Sequence, residues 1–181
     1  MSTDTTKWES WKNSDVKSYE DLTQIIRKFL QKHFLPSYYS TTAGRYEILG
    51  RTESDQKIYD IALIELAKKY GSVTNYLKET IIEPVQKQKS GCFLIKPNDF
   101  PYAIEHDILH YILWSTAPLP VGSCTTVEVS NFILESFGND VKYLWLVNPT
   151  HLQSIPSIFH GHIFAKKNTI SKKLNINDIN N

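Results

Sequence analysis

Near its C-terminal end the chain reads Ser154-Ile155-Pro156-Ser157-Ile158-Phe159-His160-Gly161-His162-Ile163-Phe164, a histidine pair inside an apolar run. In an extended strand alternate side chains share a face, so His160 and His162 stand on the same side. Gly161 leaves the opposite face bare, open to close approach by another backbone or a ligand. Two imidazoles in one row can ligate a metal, attack phosphorus as a neutral nucleophile, or serve as hydrogen-bonding groups in a core. Zinc accepts His and carboxylate ligands, but HExxH is absent and Cys92 and Cys124 lie far from the histidine pairs in sequence. No metal ligand set and no cofactor are therefore assigned.

Three further segments place polar groups where a sheet core favours apolar ones: Asn98-Asp99, His106 with His110, and Asn148 with Ser154. His106 and His110 are four apart, on one face of a strand and close together in a helix. In a strand His110 shares its face with Ile108, Ile112 and Trp114, where an imidazole needs a partner to offset lost hydration. Catalysis by imidazole would use a neighbour that fixes the tautomer, and donors such as Ser154 and Asn148 that take up developing charge. The competing readings are a non-catalytic regulatory or interaction protein with structural histidines, and a His-ligated metal-binding protein. A shared site requires the His110 ring within hydrogen-bonding reach of the 160/162 pair, with Asn98 lining the same pocket.

The elements that must position these residues are legible as periodicity. Residues 1–17 read as a flexible arm that Trp8 and Trp11 can anchor. Leu22, Ile25, Ile26, Phe29 and Leu30 predict a helix from Tyr19 to His33, and Tyr46 to Gly50 a short strand or turn. Thr52 and Asp55 form a capping-box-like start for a second helix, with Tyr59, Ala62, Leu63, Leu66 and Ala67 as its buried stripe and Gly71 as its stop. Val73 to Ile82 predicts a third helix closed by Pro84, followed by a polar connector over residues 86–91. From Cys92 the period shifts toward two. Cys92–Ile95, Ile108–Trp114, Val141–Val147 and Ile158–Ala165 read as strands, with a turn at Pro97-Asn98-Asp99 and a helix over Val127–Phe137. The expected architecture is α+β: one domain over residues 18–167, N-terminal helices packed on an antiparallel sheet from the C-terminal half, and a polar tail over 168–181.

Bulk properties narrow the function classes. At 181 residues the chain is long enough to bury a core without staples. Its 20 basic and 19 acidic residues leave a net charge of +1, which provides no general attraction for nucleic acid or a membrane surface. Two cysteines make no disulfide framework, and neither an apolar stretch of spanning length nor a signal-like start is present. A reducing, cytoplasmic setting is expected, with a nuclear one also compatible.

Several ordered motifs carry a resemblance. These are Leu49-Gly50-Arg51, Tyr59, Tyr70-Gly71-Ser72-Val73-Thr74-Asn75-Tyr76-Leu77-Lys78-Glu79, Asn98-Asp99-Phe100-Pro101-Tyr102, His110-Tyr111-x-x-Trp114-Ser115, Asn148-Pro149 and Ser154-Ile155-Pro156 with His160-x-His162. Over roughly residues 45–167 the chain resembles the fungal N-acetylglucosamine-induced proteins, a family without an assigned activity. More distantly, Asn98-x-x-Pro101, His106 or His110, Ser154 and His160-x-His162 are similar in order to the motifs of histidine-triad nucleotide hydrolases and transferases. That resemblance implies a histidine-triad-like core and a phosphate-containing small-molecule ligand, a nucleotide or phosphorylated sugar. It implies Asn98 near a ribose, His160 as nucleophile, His110 or His106 and His162 in support, and Ser154 orienting a phosphate. The wider ligand-binding set is Asn98, Asp99, Asn148, Ser154 and Arg51. The chain departs from the triad pattern at Ile158, where the first alternating histidine belongs, and Phe164 follows in place of a histidine. A register shift would make His162 the nucleophile.

Overall fold

Thr52 opens the first described helix by accepting a hydrogen bond from the Asp55 amide at 3.2 Å, the N-cap that its position before Asp55 predicts. The computed structural model describes residues 50–87 and 91–171, together with Glu20 and Gln24, both helical. The predicted arm, the rest of the Tyr19–His33 helix, the segment from Tyr46 to Glu47-Ile48-Leu49 and the tail beyond residue 171 lie outside the described residues.

Helix α1 (Glu53–Tyr70) ends at Gly71, whose φ of 79° is the left-handed cap that glycine adopts without strain. Its predicted stripe faces inward but is only half-buried, because Tyr59, Leu63 and Leu66 line a pocket in place of a packed core. Ser72 then caps a helical run made of α2 (Val73–Leu77), a π-helical turn over Lys78–Ile82 and α3 (Glu83–Lys87). Pro84 does not close this run as predicted. The Glu83 amide bonds back to the Lys78 carbonyl, and Pro84 falls in the first turn of α3, where its missing N–H leaves no gap.

The sheet is antiparallel, in the order β1-β2-β4-β3, from strands Phe93–Pro97, Ile108–Ser115, Phe159–Lys166 and Tyr143–Leu146 respectively. Pro97, expected to begin a turn, ends β1 opposite Tyr111; β1 is an edge strand, where proline is tolerated. Helix α4 (Val127–Phe137), capped by Thr126, covers one face of the sheet. Its Val129, Ile133 and Phe137 pack on Ile95, Leu113, Trp145, Ile163 and Ala165. Ile133, Phe137, Leu113 and Ile163 are all fully buried, each contributing about 1.5–3 kcal/mol by removal from water. On the other face, Leu77, Ile81 and Val85 of the helical run pack on Leu94 of β1 and on Ile158. The α+β prediction is thus correct, with helices on both faces of the sheet.

β2 and β4 pair so that Ile112 faces His162 and Trp114 faces His160. Both histidines therefore point to the face opposite α4. On the α4 side, Gly161 is covered by the Trp145 indole, not by a ligand. A Cβ at position 161 would fall 2.6 Å from Trp145 Cζ2, well inside van der Waals contact. We expect Gly161→Ala to destabilise the protein by about 1–3 kcal/mol through overpacking, read as a fall in the denaturation midpoint. Trp145→Phe should recover part of that loss in the double mutant, and an additive double mutant would refute the contact.

Candidate active site

The pleat assembles a row of polar side chains across all four strands. Leu94 and Lys96 alternate onto the histidine face of β1, and Asn98 continues that alternation one step past the strand end. Leu144 and Leu146 do the same on β3, which brings Asn148 to the same face. His110 on β2 and His162 on β4 lie between them, diagonal neighbours in the paired strands. The row runs Asn98, His110, His162, Asn148, in the spatial order of the strands.

Hydrogen bonding along this row defines its protons. The Tyr102 backbone amide, which can only donate, reaches His110 Nδ1 at 3.2 Å. His110 Nδ1 is therefore an acceptor and Nε2 carries the proton. His110 Nε2 lies 3.0 Å from His162 Nδ1, so His162 accepts there and is protonated at Nε2. The Asn148 amide lies 3.1 Å from His162 Nε2. Two facing donors would repel, so Asn148 turns its oxygen to His162 by a half-rotation of the amide. The Tyr102 hydroxyl, beside the same amide at 3.5 Å, can then donate to that oxygen as well. Asn98 accepts from the Phe100 amide at 3.0 Å and sets its amide nitrogen against the His110 ring at 3.3 Å.

His160 stands apart from this row. Its Nδ1 donates to the Ile158 carbonyl at 2.7 Å, which leaves Nε2 with the ring's free lone pair. The ring packs against Trp114, with centroids 5.4 Å apart, and edge-on to His162 at 5.8 Å. Ile158 supplies its backbone oxygen to the site and buries its side chain in the apolar cluster.

Burial holds all three rings neutral. His110 is pushed down to about 3 by burial, with the Arg51 charge adding to the effect. His162 falls well below the ordinary histidine range through burial, then through His110, His160 and Arg51. His160 is lowered by burial, and the Ile158 carbonyl partly opposes this by favouring the charged ring. Arg51 is held over the Tyr59 ring at 3.9 Å and donates through Nε to the Phe100 carbonyl at 2.9 Å.

His160, His162, Asn98, Asn148, Asp99, Ser154 and Arg51 all border one pocket of about 540 Å³ between α1, the helical run and the sheet. His110 lies behind its wall, buried beneath Tyr102 and His162, and meets the pocket through His162. His106 sits exposed in the turn before β2, so His110 is the member that joins the site. Ser154 and Asp99 are exposed at the rim. Sequence reasoning did not assign Tyr102, Gln153, Lys96 or the α1 residues to the site. Tyr102 lies within a motif singled out above, yet the contact by which it sets the row's protons is a backbone N–H, which leaves no signature in residue type. Among the described residues, no group of three or more His, Cys, Asp or Glu is placed to hold a metal ion. Nor is any helix there long and apolar enough to cross a membrane.

Comparison with known proteins bears on the family and the fold. The uncharacterized protein YPL067C of Saccharomyces cerevisiae is 31% identical over an 86-residue alignment, and the match covers 41% of this chain. The match spans 43% of that protein's length, less than half of it. The crystal structure of HTC1 shares the fold with a TM-score of 0.57 at 20% identity, covering 86% of this chain and 89% of that one. Residues 40–166, which include every residue of the row and the pocket's polar end, match the family described as Protein of unknown function (DUF3605), and the chain belongs to that family.

Proposed function

We propose that this protein binds a phosphate-containing small molecule, a nucleotide or a phosphorylated sugar, and transfers or hydrolyses its phosphoryl or nucleotidyl group through His160. The observation that carries this reading is the division of labour among the histidines. His160 presents a neutral Nε2 with its other nitrogen held by a carbonyl, while His110 and His162 are locked in a chain that starts at a backbone amide. A core that needed only satisfied imidazoles would not leave one nitrogen facing a pocket. The order of motifs similar to the histidine-triad enzymes supports the same roles. The likeness to fungal N-acetylglucosamine-induced proteins adds phosphorylated sugars to the ligands worth testing. Exposed free Cys92 and Cys124 fit a reducing cytoplasmic or nuclear setting.

In the reaction, His160 Nε2 forms a bond to phosphorus as the bond from phosphorus to the leaving group breaks, and the leaving group departs with that electron pair and takes up a proton. The ring becomes cationic, and its Nδ1–H bond to the Ile158 carbonyl strengthens as charge develops. Water then attacks phosphorus on the other side, releases Nε2 and leaves its proton to solvent. His162 and Asn148 fix the wall beside the reacting atoms, and His110 positions His162. Arg51 and Ser154, at the pocket's polar end, are the groups for the phosphoryl oxygens.

A panel of nucleoside phosphoramidates, dinucleoside polyphosphates and sugar nucleotides tests this. We expect turnover of at least one class, reduced at least about 100-fold in a folded His160→Ala variant. Ligand-induced thermal stabilisation without turnover would instead mark a binding protein. Absence of both across the panel would sink the reading.

The neutral histidines also predict an acid-sensitive fold. A histidine whose folded pKa lies below its unfolded value of about 6.5 disfavours folding once the unfolded chain takes up a proton. Their contribution is complete above about pH 6.5 and is lost as pH falls, for His110 down to about 3. His110 alone should cost about 1.4 kcal/mol of stability per pH unit below that window's upper edge, with His160 and His162 adding in the same direction. Denaturant titrations between pH 7 and 5 should show this slope, and a folded His110→Asn variant should show a shallower one. A wild-type stability that stays flat or rises over that range would contradict the burial of neutral rings.

A further inference from the structure

The pocket that holds His160 has an apolar part beside its polar one. Beyond Trp114 its wall is formed by Leu63 and Leu66 of α1 and by Val73, Leu77 and Ile81 of the helical run. Of these, Leu77 and Ile81 are buried to within a few per cent, so the apolar end reaches into the layer between helices and sheet. None of these five side chains carries an atom that can meet a hydroxyl; Tyr76, beside them in the lining, is the one residue of that wall that does.

The amides at the polar end are turned inward on the protein. Asn98 accepts from the Phe100 amide and faces the His110 ring. Asn148 turns its side-chain oxygen to His162 and Tyr102, and its backbone carbonyl accepts from the Gln153 side-chain amide at 2.6 Å. A ribose or hexose entering beside them would give up its bonds to water and find the side-chain oxygens of both engaged. An alkyl group would lose nothing in the apolar end and would remove its own surface from water. Of the charged lining residues on this side, Glu65 and Lys69 are exposed, and Lys96 is half-buried on the histidine face of β1.

We propose that the pocket takes a phosphoryl compound whose organic group is aliphatic, seated between α1 and the helical run with its phosphorus at His160, in preference to a nucleotide or sugar phosphate. This keeps the phosphoryl chemistry proposed above, replaces its nucleotide or sugar group by an aliphatic one, and rests on His160 as the group that faces phosphorus. The pocket volume of about 540 Å³ suits a ligand of that size, within the range of ordinary small-molecule sites. Specificity then lies in the helices, and His160 meets the part common to every substrate.

The test is calorimetric titration of the full chain with n-alkyl phosphates from ethyl to decyl, below their micelle concentrations, beside AMP, glucose 1-phosphate and decanol. Each added methylene should tighten binding about three- to fourfold, the equivalent of about 0.8 kcal/mol per buried CH₂, until the apolar end is full. Decanol should bind much more weakly than decyl phosphate. Leu66→Gln should flatten the series, and Leu63→Gln serves the same purpose if the first variant fails to fold. A flat wild-type series, or tighter binding of AMP or glucose 1-phosphate than of the long alkyl phosphates, overturns this inference and leaves the phosphoryl reading in place. Failure of every phosphate to bind, or decanol binding as tightly as decyl phosphate, overturns both. An undiminished slope in a folded variant places the chain elsewhere and overturns the assignment to this wall.

Discussion

The register between β2 and β4 is the constraint on which everything else rests. With Ile112 opposite His162, the histidines face the pocket and Gly161 faces Trp145. A slip of one residue would exchange the faces, driving two imidazoles into the packing against α4 and a fully buried Ile163 out of it. The register is enforced from both sides of the sheet. Gly161 is the position on β4 where the indole leaves no room for a Cβ, and Ile163 and Ala165 complete the apolar surface that α4 covers.

That register creates an electrostatic problem and solves it locally. Three histidines close together in a buried layer would repel as cations, so the fold holds them neutral. Neutral imidazole has one donor and one acceptor, and the directions must agree along the whole row. The Tyr102 backbone amide sets that direction, since it cannot reverse, and the Asn148 side-chain amide can turn to close the far end. His160 escapes the row because the backbone carbonyl two residues earlier takes its Nδ1 proton. The same geometry that satisfies the buried rings leaves one nitrogen for chemistry.

Helix α1 shows why amphipathic spacing and burial are different quantities. Its inward stripe was legible, but half-exposure of Tyr59, Leu63 and Leu66 means that the stripe borders space and not a core. Periodicity reports which way a side chain points and is silent on what it meets. The π-helical turn over Lys78–Ile82 was invisible for a related reason. Pro84 signals a helix stop by local rules, and a one-residue bulge in the hydrogen-bond ladder sets it in a first turn, where it does no harm.

Residue order alone determined a good deal: the α+β class, helices α1 and α4, the caps of α1, the strands and the common face of His160 and His162. Each depends on spacing of 3.6 or two residues, or on a cap within one turn, and such short-range geometry is written in the chain. Sequence also collected Asn98, His110, Asn148 and the histidine pair as the polar intruders in an apolar sheet. Only the tertiary structure decided that these form one row, that His110 and not His106 belongs to it, and which nitrogen of each ring carries the proton. Strand order and register bring residues 98, 110, 148 and 162 side by side, and a backbone amide at Tyr102 orders their protons. Those are contacts between segments distant in sequence, set by which surfaces pack together, and no local pattern encodes them.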